Sequence, residues 1–207
     1  MWLRSGDFSD GERIPGDNAL NIIDPGDHSR FGGNKNPHLE WGDVPEGVLS
    51  FALLVIDVDV PTSPEDVNQE GREVPADLPR ADFAHWALVD VESATLSVER
   101  GAYSDGVTPR GKAGRSDRPR EGVNDYTGWF SGDPEMGGTY KGYDGPCPPW
   151  NDSIIHHYVF TLYALDVDSL ILSGDFTAAD VEGAMEGHII DSARLTGTYT
   201  LNPRLAG

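Results

Sequence analysis

Residues 49–60 read LSFALLVIDVDV, and Phe51–Ile56 within them is the longest uninterrupted apolar run of the chain. Such a run is far too short to span a bilayer. Pro61 follows at once and marks where a strand must stop pairing. A short apolar run with no polar alternation reads as a strand covered on both faces, as in the middle of a layered sheet protein. Period-2 geometry then sets Phe51, Leu53, Val55, Asp57 and Asp59 on one face. Two carboxylates leave the strand on the same side. A solvated strand end would carry acids there too, and a carboxylate at such a mouth can also orient a histidine by accepting its N–H.

Working outward, two more segments read as strands. Phe83–Val91, FAHWALVDV, places His85, Ala87, Val89 and Val91 on one face and Trp86 with Leu88 on the other. His156–Leu165, HHYVFTLYAL, aligns His156, Tyr158, Phe160 and Leu162 and turns His157 the opposite way. Between the first two strands, residues 61–82 are polar and proline-rich and read as a long surface loop. Residues 101–142 are rich in glycine and charge, with aromatics at Tyr126, Trp129, Phe130 and Tyr140; loops this long are usually functional or disordered. Thr177–Asp180 opens a capping pattern for one amphipathic helix through TAADVEGAMEGHI, and Leu195–Leu201 reads as the last strand. Glycine and proline punctuate many short segments, an all-β signal, and every apolar segment is assigned to one domain over 1–207.

Composition narrows the partners. Asp and Glu number 35 against 15 Lys and Arg, a net charge of −20, and the only lysines are Lys35, Lys112 and Lys141. Binding a phosphate backbone or an anionic membrane surface requires clustered cations, so neither nucleic acid nor membrane insertion is expected. The acidic surface resembles that of proteins from salt-loving organisms, where screening removes self-repulsion. One cysteine cannot form an internal disulfide, and the N-terminus shows no apolar signal region; together these lead to the expectation of a cytoplasmic protein.

The chemistry-bearing residues gather in three places: Asp57 and Asp59, His85, and the segment 143–165, YDGPCPPWNDSIIHHYVFTLYAL. Should the three strands converge, Asp57, Asp59, His85, His156 and Tyr158 would share a site. Two imidazoles and a phenol can donate to an anion, and two histidines with a carboxylate can also bind a metal. Spacing does not choose between these, because no H-x-x-x-H or H-E-x-x-H pair exists. Catalysis by Cys147 would need an electropositive, open setting, and its neighbours are Pro146 and Pro148. The prolines suit a stiff pocket wall instead. No nucleophile elbow, P-loop or dinucleotide fingerprint is present.

The ordered set Asp57-Val58-Asp59-Val60-Pro61, His85-Trp86, Tyr143–Pro149 and His156-His157-Tyr158-Val159-Phe160 resembles the phosphatidylethanolamine-binding protein family, whose motifs read D-P-D-A-P, H-W or H-x, G-x-x-P-P and H-R-Y-x-F. SGDFSDGERIP (5–15), NPHLEWGDVPEG (36–47) and MEGHIIDSARLTGTY (185–199) extend the likeness over nearly the whole chain, towards the bacterial and archaeal Raf-kinase-inhibitor-like branch. The resemblance implies an all-β sandwich of two antiparallel sheets with a few peripheral helices. It also implies an anion pocket lined by Asp57, His85, His156 and Tyr158, supported by Asp59 and walled by Gly145, Pro146, Cys147, Pro148 and Pro149. Such pockets accept phosphate-like groups, and animal members inhibit kinases; prokaryotic members are often homodimeric. Val58 stands in place of the usual proline and His157 in place of the usual arginine, which makes the positive charge beside the pocket depend on pH. The expected function is therefore a non-catalytic protein, without cofactor or metal, that holds a small anionic ligand and modulates a kinase or other protein. The rival expectation is a metal- or histidine-assisted hydrolase using the same cluster.

Overall fold

A computed structural model describes residues 1–206. In chain order its elements are β1 (Trp2–Ser5), β2 (Asn21–Asp24), β3 (His28–Phe31), β4 (Leu39–Gly42), β5 (Ser50–Pro61), β6 (Arg80–Glu92), β7 (Ser97–Val98), β8 (Gly111–Lys112), β9 (Arg120–Glu121), α1 (Tyr126–Trp129), β10 (Thr139–Tyr140), β11 (His156–Leu165), α2 (Ala178–Met185) and β12 (Ile189–Tyr199). Five strands pair antiparallel in the order β12-β11-β5-β6-β9, and β1-β4-β7 form a second antiparallel sheet. β2 and β3 make a hairpin, and the short β8 and β10 pair in parallel. The architecture is mostly β with two short helices.

The apolar run of β5 has a simple cause. Phe51, Leu53 and Val55 face Leu3, Leu39 and Trp41 of the smaller sheet, together with Phe160 and Leu162 of β11. Ala52 and Leu54 face the other way, against Ala87, Val89 and the α2 residues Ala178, Val181 and Met185. Both faces are dry, so neither tolerates a polar residue until the strand reaches Asp57. Each fully buried Leu or Phe here contributes roughly 1.5–3 kcal/mol. α2 is held in place by the expected capping box: Thr177 Oγ1 accepts from the Asp180 amide and the Asp180 carboxylate accepts from the Thr177 amide.

Three register shifts in the β5–β6 pair change which way side chains point. Val55 pairs with Trp86 but Ile56 with Ala84, so His85 is the extra residue of a β-bulge. A second shift, near Asp90, which has φ 59°, moves Val91 to the face of Trp86 and Leu88 while Ala87 and Val89 stay on the α2 side. The uniform alternation expected for β6, with His85, Ala87, Val89 and Val91 on one face, is thus corrected: the bulges break the period. The third shift lies between Asp57 and Val60 and puts the extra residue in β5. β12 begins at Ile189, six residues before the expected start. Its first residues pair with β11 although Ile189 and Ile190 stay exposed at the sheet edge.

Candidate functional site

The middle strands of the large sheet bring the chemistry together. β5 delivers Asp57, β6 delivers His85 at its bulge, and β11 delivers His156 at its first position. These three line a cavity of about 260 Å³ with Cys147, Pro148 and Pro149. Its mouth is apolar and aromatic, formed by Phe31 of β3, Phe83 of β6, Trp129 and Phe130 at the end of α1, and Trp150.

His156 is fully buried between two carboxylates. Its Nδ1 lies 2.8 Å from Asp57 Oδ2 and its Nε2 lies 3.1 Å from Asp152 Oδ2. Both nitrogens therefore donate, which requires the imidazolium form. Burial by itself would depress this group, but the bonds to Asp152 and Asp57 outweigh it and hold His156 at about 9. Asp152 is in turn gripped by Arg80, with contacts of 2.6 and 3.1 Å. Burial favours protonation of Asp152, yet the bonds from His156 and Arg80 keep it below the ordinary carboxylate value. The row Asp57–His156–Asp152–Arg80 thus alternates in sign and carries no net charge.

His85 is equally buried and differently bonded. Its Nδ1 lies 2.7 Å from the carbonyl oxygen of Asp144, an atom that only accepts, so Nδ1 carries the proton and Nε2 is left for a ligand. Rings of Phe83, Tyr126 and Tyr158 surround the imidazole at centroid distances of 5.1, 5.3 and 5.1 Å. Burial pushes His85 below the ordinary histidine value, against the opposing pull of Asp57, Asp144 and Asp125. Asp144 is itself fixed: Asn34 and Asn124 each donate to its carboxylate at 2.8 Å, and Lys112 Nζ stands 3.2 Å away.

The remaining expected site residues take other places. Tyr158 is buried behind His85, and its hydroxyl has no partner within hydrogen-bonding geometry; burial next to Asp57 raises the phenol well above its usual value. Asp59 does not join Asp57. The bulge after Asp57 turns Asp59 to His157, whose amide and Nδ1 lie 2.7 and 2.8 Å from Asp59 Oδ2. His157 points outward, as the period of β11 requires, and its side chain is half exposed.

Gly145 and Pro146 back the wall and do not line the cavity. A Cβ on Gly145 would sit 2.1 Å from the carbonyl oxygen of Asn18, so only glycine fits, and Pro146 accepts from the Leu20 and Asn21 amides. Cys147 does line the cavity, and burial pushes its thiol up to about 12, far from a reactive thiolate. Among the described residues, no three His, Cys, Asp or Glu side chains converge in a metal-binding arrangement.

Several residues of the site carry no local motif. Asp152 and Arg80 complete the His156 row; the i, i+4 spacing of Asp152 and His156 was its only trace in the chain. Tyr126, Trp129 and Phe130 come from the long segment 101–142, where their clustering in an otherwise polar stretch was the signal. The rim is organised by Asn151, whose side chain donates to the carbonyls of Asp66, Gln69 and Arg72, and by Trp150, which stacks on His28 at 3.8 Å. Among the described residues, no helix is long and apolar enough to cross a membrane.

Comparison with known proteins places the chain among relatives. A UPF0098 protein of Aquifex aeolicus is 30% identical over 199 residues, covering 96% of this chain and 88% of the relative. A UPF0098 protein of Methanothermobacter thermautotrophicus is 31% identical over 202 residues, covering 96% and 98%. The crystal structure of Escherichia coli YbcL, described as a new member of the mammalian PEBP family, superposes with a TM-score of 0.68 at 24% identity, covering 96% and 97%. The family model for phosphatidylethanolamine-binding protein matches residues 4–200. The chain therefore belongs to the phosphatidylethanolamine-binding protein family, in the bacterial and archaeal branch that includes YbcL.

Proposed function

We propose that this protein is a non-catalytic binding protein that holds a small anionic group, a phosphate or phosphoryl headgroup, at the His85 end of the cavity. In its ligand-bound form it modulates a partner protein, a kinase being the partner class the family suggests. The observation that carries the reading is His85: one nitrogen is locked to the Asp144 carbonyl, and the other is available at the inner end of a mostly apolar cavity. The rival hydrolase would need a general base or nucleophile free to react. His156 has both nitrogens committed to carboxylates and the Cys147 thiol is neutral at any ordinary pH, which leaves His85 Nε2 as the one candidate base, with no thiolate nucleophile beside it. These features support binding over turnover.

Calorimetric titration of phosphate in high salt, at about pH 5.5 and about pH 7.5, tests the proposal, with tighter binding expected at the lower pH where a proton is available to His85. No heat at either pH would overturn it. Turnover of phosphate esters that disappears in His85→Ala would move the protein to the hydrolases.

A further inference from the structure

We propose that the cavity selects an acid that retains a proton and carries a flat apolar tail, such as an aryl monoester of phosphate, over bare phosphate or a polyol phosphate. The inference rests on the anion-binding reading above and names the ligand class for that site.

The first observation is a shortage of free cations. No lysine or arginine lines the cavity among the described residues. The fixed cations nearby, His156, Arg80 and Lys112, are already balanced by Asp57, Asp152 and Asp144. What remains at the polar end is a carboxylate, Asp57, and the acceptor nitrogen Nε2 of a neutral His85. A fully ionised anion set between these two groups would meet an acceptor on each side, the uncharged side-chain donors of the lining including Asn21, Ser29 and Asn68. An acid that keeps one proton can place its O–H towards His85 Nε2, and the shared proton then serves both groups. Above the second pKa of a phosphate monoester, about 6, that proton must come from solvent.

The surroundings of His85 sustain this picture on every side. Asp57 faces it from β5, Tyr158 from β11, Asp125 and Tyr126 from the start of α1, and Asp144 and Cys147 from the segment after β10, with His156 beyond Asp57. The three acids favour a protonated imidazole once a ligand is bound, and burial opposes one in the empty site.

The second observation is the mouth. Phe31 and Trp129 are 51% and 50% exposed, an unusual fraction for such large side chains, and with Phe83, Phe130, Pro148 and Trp150 they extend the cavity as an apolar channel. At about 260 Å³ the space lies just below the ~300–1,000 Å³ typical of drug-sized ligands, so it suits one ring and one acid group. A chain with net charge −20 repels anions at long range, so an apolar contribution is needed for useful affinity.

Calorimetry with phosphate and phenyl phosphate, in buffers of different ionisation enthalpy, tests both halves. Phenyl phosphate should bind at least tenfold tighter than phosphate. Its binding should take up close to one proton at about pH 7.5 and almost none at about pH 5. Trp129→Ala, a substitution at a half-exposed position, should shrink the ratio of the two affinities several-fold. Equal affinities, or tail preference without proton uptake at the higher pH, would overturn the inference while leaving the anion-binding reading intact. Failure of both ligands to bind would overturn that reading itself.

Discussion

His85 and His156 line one cavity from strands on either side of β5, and both are almost wholly buried, at 3% and 0% exposure. Burial alone would make both neutral. Yet one is depressed and the other is held at about 9. The difference lies in the atoms opposite their nitrogens. His156 meets a carboxylate on each side, whereas His85 meets one backbone carbonyl and three aromatic rings. Hydrogen-bond partners set the charge state, and burial only amplifies what they dictate. One histidine is thereby a structural cation, and the other is free to respond to a ligand.

The sharpest way to break this contrast is Asp57→Asn. It removes one carboxylate from His156 and leaves a buried imidazolium half-paired, which should cost about 3 kcal/mol or more. Urea unfolding at neutral pH measures it, and a loss below about 1 kcal/mol would mean that His156 does not carry the charge. The pH dependence comes next. Because the folded-state value of His156 lies above the ordinary 6.5, its contribution is fully present below about 6.5 and fades as pH rises through about 9. The total is about 3 kcal/mol, and a flat profile over that window in the wild type, or the same slope in His156→Gln, would contradict the assignment.

The smallest effect belongs to His85, with the opposite sign. Its depressed value means the unfolded chain takes a proton below about 6.5 that the folded chain refuses, so stability falls as pH drops below 6.5. His85→Gln should remove that fall, and the difference between the two urea profiles below pH 6.5 measures it. An imidazole NMR titration in which His85 protonates near 6.5 in the empty protein would erase the contrast.

Much of this site is legible in the amino-acid sequence. The covered strand β5, the outward turn of His157, the capping box at Thr177 and the order of four motifs all follow from local pattern and were found where expected. The apolar run of β5 could be read because dryness on both faces forbids polar residues whatever the neighbours are. Asp59 could not be placed, because a single inserted residue after Asp57 reverses its side, and nothing local marks the insertion. The same holds for His85, whose bulge broke the alternation expected along β6. Arg80 and Asp152 are 72 residues apart, and their ion pair exists only because the start of β6 meets the segment before β11.

The amino-acid sequence by itself determined the long strands β5, β6 and β11, because hydrophobic periodicity is a local property of the chain, whereas the short strands of the second sheet left no such pattern. It also determined which few residue types could carry the chemistry. Tertiary structure alone decided register, and register decided which of those residues share a cavity, which nitrogen faces which oxygen, and therefore which histidine is charged. Those outcomes depend on shifts of one residue between strands far apart in the chain, where hydrogen-bond pairing and core packing act together and no local pattern records the result.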